Sequence, residues 1–247
     1  MNLMPPRWFA HRGGGSLAPE NTLAGIRLAA SLGYRAVEFD VMLSGDGTPV
    51  LIHDETLERT TNGSGRVCDS PDAILLSLDA GQGEHIPTFS QAAALCRVLG
   101  LLANVEIKAA AGFERQTAET VCRSACELWS GAPVQPLISS FSPEALELAR
   151  DLVPEIRRGL LVERVPADWR QEMQRLQAYS LHCAASSLDD VVLVEAQAHA
   201  IPVLCYTVNL PEQAEGLFAR GVSAIFTDRL DLFSPETSAY KGLHLAG

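Results

Sequence analysis

The sequence predicts an α/β fold, and within that class a (β/α)₈ TIM barrel. Short apolar runs alternate with longer amphipathic runs along all 247 residues, and this alternation is typical of parallel strands joined by crossover helices. Eight such units in a chain of this length match the size of a barrel. No linker rich in proline or serine divides the chain, so we expect a single domain over residues 1–247. A doubly wound open sheet is the alternative architecture.

The short apolar runs are the predicted strands. They lie at Arg7–Ala10, Ala36–Val41, Pro49–His53, Leu101–Lys108, Pro136–Ser140, Arg157–Leu161, Tyr179–Cys183, Pro202–Val208 and Val222–Phe226. The amphipathic runs between them have apolar residues at helical spacing. The predicted helices lie at Asn21–Leu32, Thr88–Leu99, Phe113–Leu128, from Pro143 onward, and at about 168–177, 188–199 and 211–219. Ser142 is the expected N-cap of the helix that begins with Pro143.

Two stretches do not fit the alternation. Asp54–Pro87 is rich in Thr, Asn, Gly and Asp, and we expect it to be a small insertion between one strand and the next helix, after the second strand region of the barrel. Residues after Asp231 show no clear pattern, so we expect an ill-ordered tail over about 232–247.

Composition excludes several classes of function. Lys plus Arg number 19 and Asp plus Glu number 30, which gives a net charge of −11. Phosphate backbones and anionic membranes repel such a chain, so we expect no nucleic-acid or membrane partner. Six cysteines without a CxxC spacing predict buried, reduced thiols rather than a zinc site. The N-terminal segment lacks the apolar stretch of a signal peptide, and we expect a cytoplasmic protein.

Three acidic residues lie near the carboxyl ends of predicted strands, where barrel enzymes have their reacting groups. Glu38 and Asp40 are two apart on one strand, so both side chains point to the same face. Glu106 lies on a neighbouring strand. Carboxylates gathered on a buried face repel one another unless a cation or a proton lies between them. Without a cysteine nearby they favour Mg²⁺ or Ca²⁺, and ion pairs that only support the fold are the alternative.

Two histidines and two cationic residues lie at the same strand ends. His11 and Arg12 end the first strand, and His53 ends a later short strand. Lys108 follows Glu106 by two positions and shares its face. A metal ion with Arg12 and Lys108 suits a phosphate anion, and two histidines suit an acid and a base near neutral pH. A salt bridge to Glu106 that only supports the fold is the alternative for Lys108.

Other residues near strand ends are candidate walls of a pocket. Phe141 and Tyr206 are aromatic residues at such positions, and burial in the core is the alternative for both. His182 is a further candidate, with an ordinary structural histidine as its alternative. Glu20 either serves the entry of the first helix or reaches the site.

A series of motifs spans almost the whole chain. They are His11-Arg12-Gly13-Gly14, Ala18-Pro19-Glu20-Asn21-Thr22-Leu23, Glu38-Phe39-Asp40, His53-Asp54, Arg59-Thr60-Thr61-Asn62-Gly63, Leu78-Asp79-Ala80-Gly81, Ile86-Pro87, Glu106-Ile107-Lys108, Ser139-Ser140-Phe141-Ser142, Thr207-Val208-Asn209 and Thr227-Asp228. In their content and order they resemble the motifs of the glycerophosphodiester phosphodiesterases. The combination is highly specific, although no single triplet is.

The resemblance implies a barrel, a divalent metal, and hydrolysis of deacylated phospholipids such as glycerophosphocholine and glycerophosphoethanolamine. The products would be sn-glycerol 3-phosphate and an alcohol. By position, the metal ligands would be Glu38, Asp40 and Glu106, the acid/base pair His11 and His53, and the phosphate ligands Arg12 and Lys108. Tyr206 stands where many relatives have Trp. The short insertion and the absence of a signal peptide resemble the cytosolic bacterial members associated with glycerol-3-phosphate uptake.

Several alternatives stay open at this point. The nucleophile is either water or the 2-hydroxyl of the glycerol moiety, which would form a cyclic phosphate that water then opens. A related barrel phosphodiesterase that acts on lysophospholipids or phosphoinositides is disfavoured because the chain lacks a membrane-binding segment. A barrel isomerase or aldolase would not need three carboxylates with two histidines. A non-catalytic binding protein on the same scaffold is disfavoured because all seven polar positions are intact.

Overall fold

The structure of the protein, a computed structural model, describes residues 4–233 and residue 235. These residues form one sheet, and its strands are separated in sequence mainly by helices. The strands are β1 (Trp8–Ala10), β2 (Ala36–Leu43), β3 (Pro49–Leu51), β4 (Leu102–Ile107), β5 (Leu137–Ser140), β6 (Arg157–Val162), β7 (Ser180–Ala184), β8 (Val203–Tyr206) and β9 (Ala224–Thr227).

All the strands except β3 are parallel and close into a barrel. Their order is β1-β9-β8-β7-β6-β5-β4-β2, and β1 also pairs with β2, which completes the cylinder. The pairs Phe9↔Ala36 and Phe9↔Phe226 lie at this closure. The predicted (β/α)₈ barrel is therefore confirmed, and the open doubly wound sheet is excluded.

Helices surround the barrel, and all but one of them connect successive barrel strands. They are α1 (Leu23–Ser31), α2 (Asp72–Leu75), α3 (Phe89–Leu99), α4 (Glu114–Leu128), α5 (Pro143–Leu152), α6 (Trp169–Leu176), α7 (Asp190–Ala198) and α8 (Pro211–Arg220). The short α2 belongs instead to the insertion. No helix within the described residues has the length and apolar character needed to cross a bilayer.

The apolar run at 49–53 is not a barrel strand. It forms β3, which pairs antiparallel with the end of β2 in the register Val41↔Leu51. The connection between β2 and β3 is too short for the crossover that a parallel neighbour requires. The insertion that follows packs against this hairpin, and together they form a small apolar core. Its buried residues are Met42, Val50, Ile52, Leu57, Val67, Leu75, Ala80 and Ile86.

The first helix begins two residues later than predicted. Its N-cap is Thr22, whose Oγ1 accepts a hydrogen bond from the backbone N–H of Gly25 at 3.2 Å. Asn21 has a φ of 56°, outside the helical region, and its side chain bonds to Asp40 in β2. Glu20 therefore lies in the loop before the helix and is free to face the carboxyl end of the barrel.

Aromatic packing covers the amino-terminal side of β1. Trp8 stacks on Phe233 with ring centroids 4.7 Å apart and meets Phe218 edge-on at 5.0 Å. Phe233 is buried, so the tail that was predicted from 232 does not include this residue. Residue 234 and residues 236–247 lie outside the described part of the chain.

Inside the barrel, a glycine on β6 faces a histidine on β7. The His182 side chain is fully buried, its Nε2 shares a hydrogen bond with Ser180 Oγ at 2.9 Å, and burial lowers its pKa to about 3. A Cβ atom on Gly159 would lie 2.6 Å from Nε2 and Cε1 of this ring. The neutral imidazole therefore fills the space that the missing side chain leaves.

We expect Gly159→Ala to lower the free energy of unfolding by about 1–3 kcal/mol, because the added methyl group overlaps the His182 ring. His182→Ala alone also destabilises the protein, since it leaves a cavity. The double variant should lose less than the sum of the two single losses, because each change relieves the other. Urea unfolding of the four proteins measures the coupling, and strictly additive losses would contradict this packing.

Candidate active site

A cavity of about 230 Å³ lies at the carboxyl ends of the barrel strands. It is lined by every residue that the sequence selected: His11, Arg12, Glu38, Asp40, His53, Glu106, Lys108, Phe141 and Tyr206. His182 lies at the same cavity, together with Asn104, Leu161, Thr207 and Phe226. The sheet register explains part of this convergence, because Glu38 lies opposite Asn104 and Asp40 opposite Glu106 on adjacent parallel strands.

Three buried carboxylates are the centre of the site. Glu38, Asp40 and Glu106 each offer an oxygen atom within 4.8 Å of those of the other two. Burial raises the pKa of Glu106 to about 8, and Asp40 adds to this rise while Lys108 opposes it. Burial, followed by repulsion from Asp40 and Glu106, also raises the pKa of Glu38 well above its ordinary value.

The donor set of this triad fits a hard divalent cation. Glu38 Oε1 and Glu106 Oε1 are buried and have no hydrogen-bond partner among the described residues. A buried carboxylate oxygen without a partner is costly. Mg²⁺ and Ca²⁺ are bound through oxygen atoms of this kind. A cation between the three side chains would therefore relieve the repulsion among the carboxylates and would coordinate the oxygens that lack hydrogen bonds.

Two other carboxylate oxygens of the triad, Asp40 Oδ2 and Glu38 Oε2, have hydrogen-bond partners that fix their positions. The Asn21 side chain donates to Asp40 Oδ2 at 2.9 Å, and its Oδ1 accepts from the backbone N–H of Asp40 at 3.1 Å. The backbone N–H of Arg12 donates to Glu38 Oε2 at 2.9 Å. Both contacts connect the loop after β1 to β2, so this loop orients two of the three carboxylates.

His11 is oriented by a carboxylate on the opposite side of β1. Its Nδ1 donates to Asp228 Oδ1 at 2.7 Å, and its Nε2 lies 3.8 Å from Glu38 Oε2. Asn209 fixes Asp228 in turn, since it donates to Asp228 Oδ2 at 3.1 Å and accepts from the Asp228 backbone N–H at 2.8 Å. Nε2 of His11 therefore faces the triad.

His53 is oriented in a similar way from the start of the insertion. Its Nδ1 donates to Asp54 Oδ1 at 2.6 Å, and its Nε2 accepts a hydrogen bond from Lys108 Nζ. Burial lowers the pKa of His53, while Asp40 and Asp54 oppose this and Lys108 adds to it. The imidazole is therefore neutral near pH 7, with its unprotonated nitrogen inside the cavity.

The two cations of the site lie among its carboxylates. Lys108 Nζ is 3.5 Å from Asp40 Oδ1 and 3.8 Å from Glu106 Oε1. Arg12 Nε is 3.9 Å from Asp40 Oδ2, and Arg12 Nη1 donates to Glu20 Oε1 at 3.0 Å. Glu20 therefore reaches the site. The ion pair of Lys108 with Glu106 that was the structural alternative is present, and it does not exclude a second contact of Lys108 with a ligand.

Two aromatic side chains form part of the rim. Phe141 is 48% exposed and meets Tyr206 edge-on, with ring centroids 6.2 Å apart. The Tyr206 hydroxyl donates to the Val162 carbonyl at 2.9 Å, so the face of this ring, rather than its hydroxyl, is free for a ligand.

Several residues that orient the site were not predicted from the sequence. Asn21, Asp54, Arg59, Asn209 and Asp228 lie within the quoted motifs but received no role there. Asp54 had a readable signal, because it directly follows His53. For Asp228 and Asn209 no local signal exists, since their contacts join positions 217 and 19 residues apart in sequence.

The comparisons with known proteins agree with this geometry. The model of the glycerophosphoryl diester phosphodiesterase family matches residues 11–232. The chain belongs to this family. Its members named among the relatives are phosphoric diester hydrolases, and this chain is an enzyme of that class.

Relatives from several bacteria cover nearly the full length of the chain. A glycerophosphodiester phosphodiesterase from Caldanaerobacter subterraneus subsp. tengcongensis is 33% identical over 237 residues, which cover 93% of this chain and 94% of the relative. An Oleispira antarctica phosphodiesterase, solved with the product sn-glycerol-3-phosphate, is 37% identical with a TM-score of 0.85 and coverage of 91% and 93%. A glycerophosphodiester phosphodiesterase from Agrobacterium tumefaciens is 27% identical, with a TM-score of 0.78 and coverage of 93% and 99%.

The triad predicts an unusual response of stability to pH in metal-free protein. The folded state keeps a proton on Glu106 that the unfolded state releases near pH 4.5, so the free energy of unfolding should fall as pH rises from 4.5 to about 8. Glu38→Gln removes one charge from the triad without changing its shape. We expect the metal-free variant to be more stable than metal-free wild type at pH 8 by roughly 1–4 kcal/mol.

Chemical denaturation in EDTA measures this difference in the free energy of unfolding. Thermal unfolding with added Mg²⁺ or Ca²⁺ measures how much each protein is stabilised by the metal. Wild type should gain thermal stability with the metal, while Glu38→Gln should gain little. Glu119→Gln is the matched control, because Glu119 pairs with Arg115 at 2.9 Å on the exposed side of α4. An equal metal-induced gain in wild type and Glu38→Gln would contradict the fit of the triad to a cation.

Proposed function

We propose that the enzyme hydrolyses glycerophosphodiesters such as glycerophosphocholine and glycerophosphoethanolamine to sn-glycerol 3-phosphate and an alcohol. The observation that carries the proposal is the convergence of two carboxylate-oriented histidines, three buried carboxylates, Arg12 and Lys108 on one cavity of about 230 Å³. The Oleispira antarctica relative was solved with sn-glycerol-3-phosphate as its product, which supports the same product here.

The proposed metal ligands are Glu38, Asp40 and Glu106, and the cation is Mg²⁺ or Ca²⁺. When bound, the cation supplies positive charge that stabilises the phosphodiester and the charge that develops in the transition state. Arg12 and Lys108 donate hydrogen bonds to the phosphate oxygens. Both side chains already lie on the cavity wall among the carboxylates, so their positive charges are in place before the anion binds.

We assign the base to His53 and the acid to His11. His53 has its unprotonated Nε2 in the cavity and its Nδ1 proton on Asp54, which suits abstraction of a proton from the nucleophile. The Lys108 ammonium leaves that nitrogen when it binds the phosphate. Asp228 accepts a hydrogen bond from Nδ1 of His11 at 2.7 Å, and Nε2 faces the cavity 3.8 Å from Glu38, a position that suits proton transfer to the leaving alkoxide.

Phe141 and Tyr206 are the proposed contacts of the alcohol that leaves. They form the aromatic rim, and an aromatic face attracts quaternary ammonium groups such as that of choline. The exposed half of Phe141 and the face of Tyr206 are the surfaces available for this contact.

The function is tested by release of glycerol 3-phosphate from glycerophosphocholine by purified protein with Mg²⁺, with Ca²⁺ and with EDTA. We expect metal-dependent release, and the two metal arms rank the ions. Lysophosphatidylcholine and a phosphoinositide in parallel reactions test the alternative substrate classes. Absence of release from any glycerophosphodiester by folded, metal-loaded protein would refute the proposal.

We expect His11→Ala and His53→Ala each to lower kcat by about 10²–10⁴-fold with glycerophosphocholine, because each removes one proton transfer. A glycerophosphodiester with a nitrophenol leaving group separates the two roles. The nitrophenolate leaves without protonation, so His11→Ala should regain much of its activity on this substrate while His53→Ala should not. Circular dichroism verifies that both variants fold, and wild-type turnover of glycerophosphocholine by either one would refute the assignment.

A further inference from the structure

One arginine of the insertion connects two parts of the site that are distant in sequence. Arg59 donates through Nη1 and Nη2 to both carboxylate oxygens of Glu20, each at 2.8 Å. Its Nε and Nη2 donate to the two carboxylate oxygens of Asp54, the latter at 3.1 Å. The guanidinium therefore forms two bidentate pairs at once, one with the loop after β1 and one with the residue that follows His53.

Each of these carboxylates also bonds to a residue that the proposed function uses. Glu20 Oε1 accepts from Arg12 Nη1 at 3.0 Å, and Asp54 Oδ1 accepts from His53 Nδ1 at 2.6 Å. The result is a continuous chain of hydrogen bonds in the order Arg12–Glu20–Arg59–Asp54–His53. Its two ends are the proposed phosphate ligand and the proposed base.

We propose that Arg59 is a positioning residue of this enzyme, which fixes the Arg12 guanidinium and the His53 imidazole relative to each other through Glu20 and Asp54. The inference rests on the roles of Arg12 and His53 given under the proposed function. Arg59 itself contacts neither the cavity nor the triad; it lies outside the lining residues and acts through the two carboxylates.

The charges around Arg59 explain why an arginine is needed there. Burial of Glu20 raises its pKa, but its hydrogen bonds with Arg59 and the nearby Arg12 charge lower it below its ordinary value. A separate hydrogen bond from Arg59 is the first cause of the lowered pKa of Asp54. Both groups are therefore ionised, and without Arg59 the two anions would repel. A planar guanidinium satisfies both in fixed geometry, whereas an ammonium acts as a single point charge.

Exposure separates this role from simple stabilisation of the fold. The Arg59 side chain is 47% exposed, and ion pairs at that exposure contribute little to the free energy of unfolding. Catalysis is far more sensitive, because a displacement of about 1 Å in a reacting group can cost on the order of 10²-fold in rate. Arg59 should therefore matter more for activity than for stability.

The chain offers a matched control in the same insertion. Arg66 is 40% exposed and pairs with Glu55 at 3.5 Å and with Asp69 at 3.9 Å. Neither partner belongs to the cavity lining. Arg66→Ala removes the same charge from the same segment and leaves the chain of bonds through Arg59 intact.

The test compares steady-state hydrolysis of glycerophosphocholine by metal-loaded wild type, Arg59→Ala, Arg59→Lys and Arg66→Ala, each corrected for the folded fraction. We expect Arg59→Ala to lose about 10–100-fold in kcat/KM, Arg59→Lys to lose less, and Arg66→Ala to match wild type. Added methylguanidinium should restore part of the activity of Arg59→Ala, and an equal concentration of sodium chloride should not.

Two further variants separate the two ends of the chain of bonds. Glu20→Gln weakens the bond to Arg12 directly and should act mainly on KM, whereas Asp54→Asn weakens the bond to His53 directly and should act mainly on kcat. Because each carboxylate acts through Arg59, either change should have a smaller effect when it is made in Arg59→Ala. This non-additivity would not arise if Arg59 only supported the fold.

Three results would overturn the inference: equal kcat/KM for Arg59→Ala and Arg66→Ala, strictly additive effects of Glu20→Gln and Arg59→Ala, or no partial activity in Arg59→Lys and no rescue by methylguanidinium. If Arg59→Ala does not fold, Arg59→Lys with the two carboxylate variants decides the matter. Failure of the proposed function gives a different result, because wild type itself would then release no glycerol 3-phosphate.

Discussion

The repulsion between three buried carboxylates is the constraint around which this end of the barrel is built. Glu38, Asp40 and Glu106 each offer an oxygen atom within 4.8 Å of those of the other two, and the register of β2 and β4 brings these residues together. The surrounding groups compensate for this charge in part: the Arg12 backbone N–H, the Asn21 side chain and the Lys108 ammonium. Two buried carboxylate oxygens, Glu38 Oε1 and Glu106 Oε1, accept no hydrogen bond from the described residues. The incomplete compensation makes the cluster a candidate cation site rather than a structural ion-pair network.

Each histidine depends on a carboxylate that lies outside the triad. Asp228, at the end of β9, bonds to His11, and Asp54, at the start of the insertion, bonds to His53. A hydrogen bond at Nδ1 fixes the tautomer and leaves Nε2 for chemistry. Both imidazoles therefore have a carboxylate at Nδ1, but different groups face their Nε2 atoms. Nε2 of His11 faces Glu38, and Nε2 of His53 faces Lys108. This difference is the reason for proposing separate acid and base roles.

Most of the barrel, and the convergence of the nine selected residues on one cavity, could be predicted because their signals are local. A strand of alternating or continuous apolar residues is visible in sequence, and polar residues at its carboxyl end stand out against it. The strand at β3 was predicted, but its antiparallel pairing with β2 was not, because a short apolar run has the same appearance in a parallel and an antiparallel strand. The start of α1 was misplaced because Asn21 leaves the helix to bond with Asp40, a contact made across the barrel end.

The sequence by itself determined the barrel, the strand-end cluster and its chemical character, because these follow from periodicity and from side-chain types at fixed spacing. Only the tertiary structure decided which groups orient the cluster. The partner of His11 follows β9, and the partners of Asp40 and Arg12 lie in the loop between β1 and α1. Arg59 reaches one of these partners, Glu20, from the insertion. Contacts between segments that are distant in sequence arise only when the barrel closes and the insertion packs on it, so no local pattern records them.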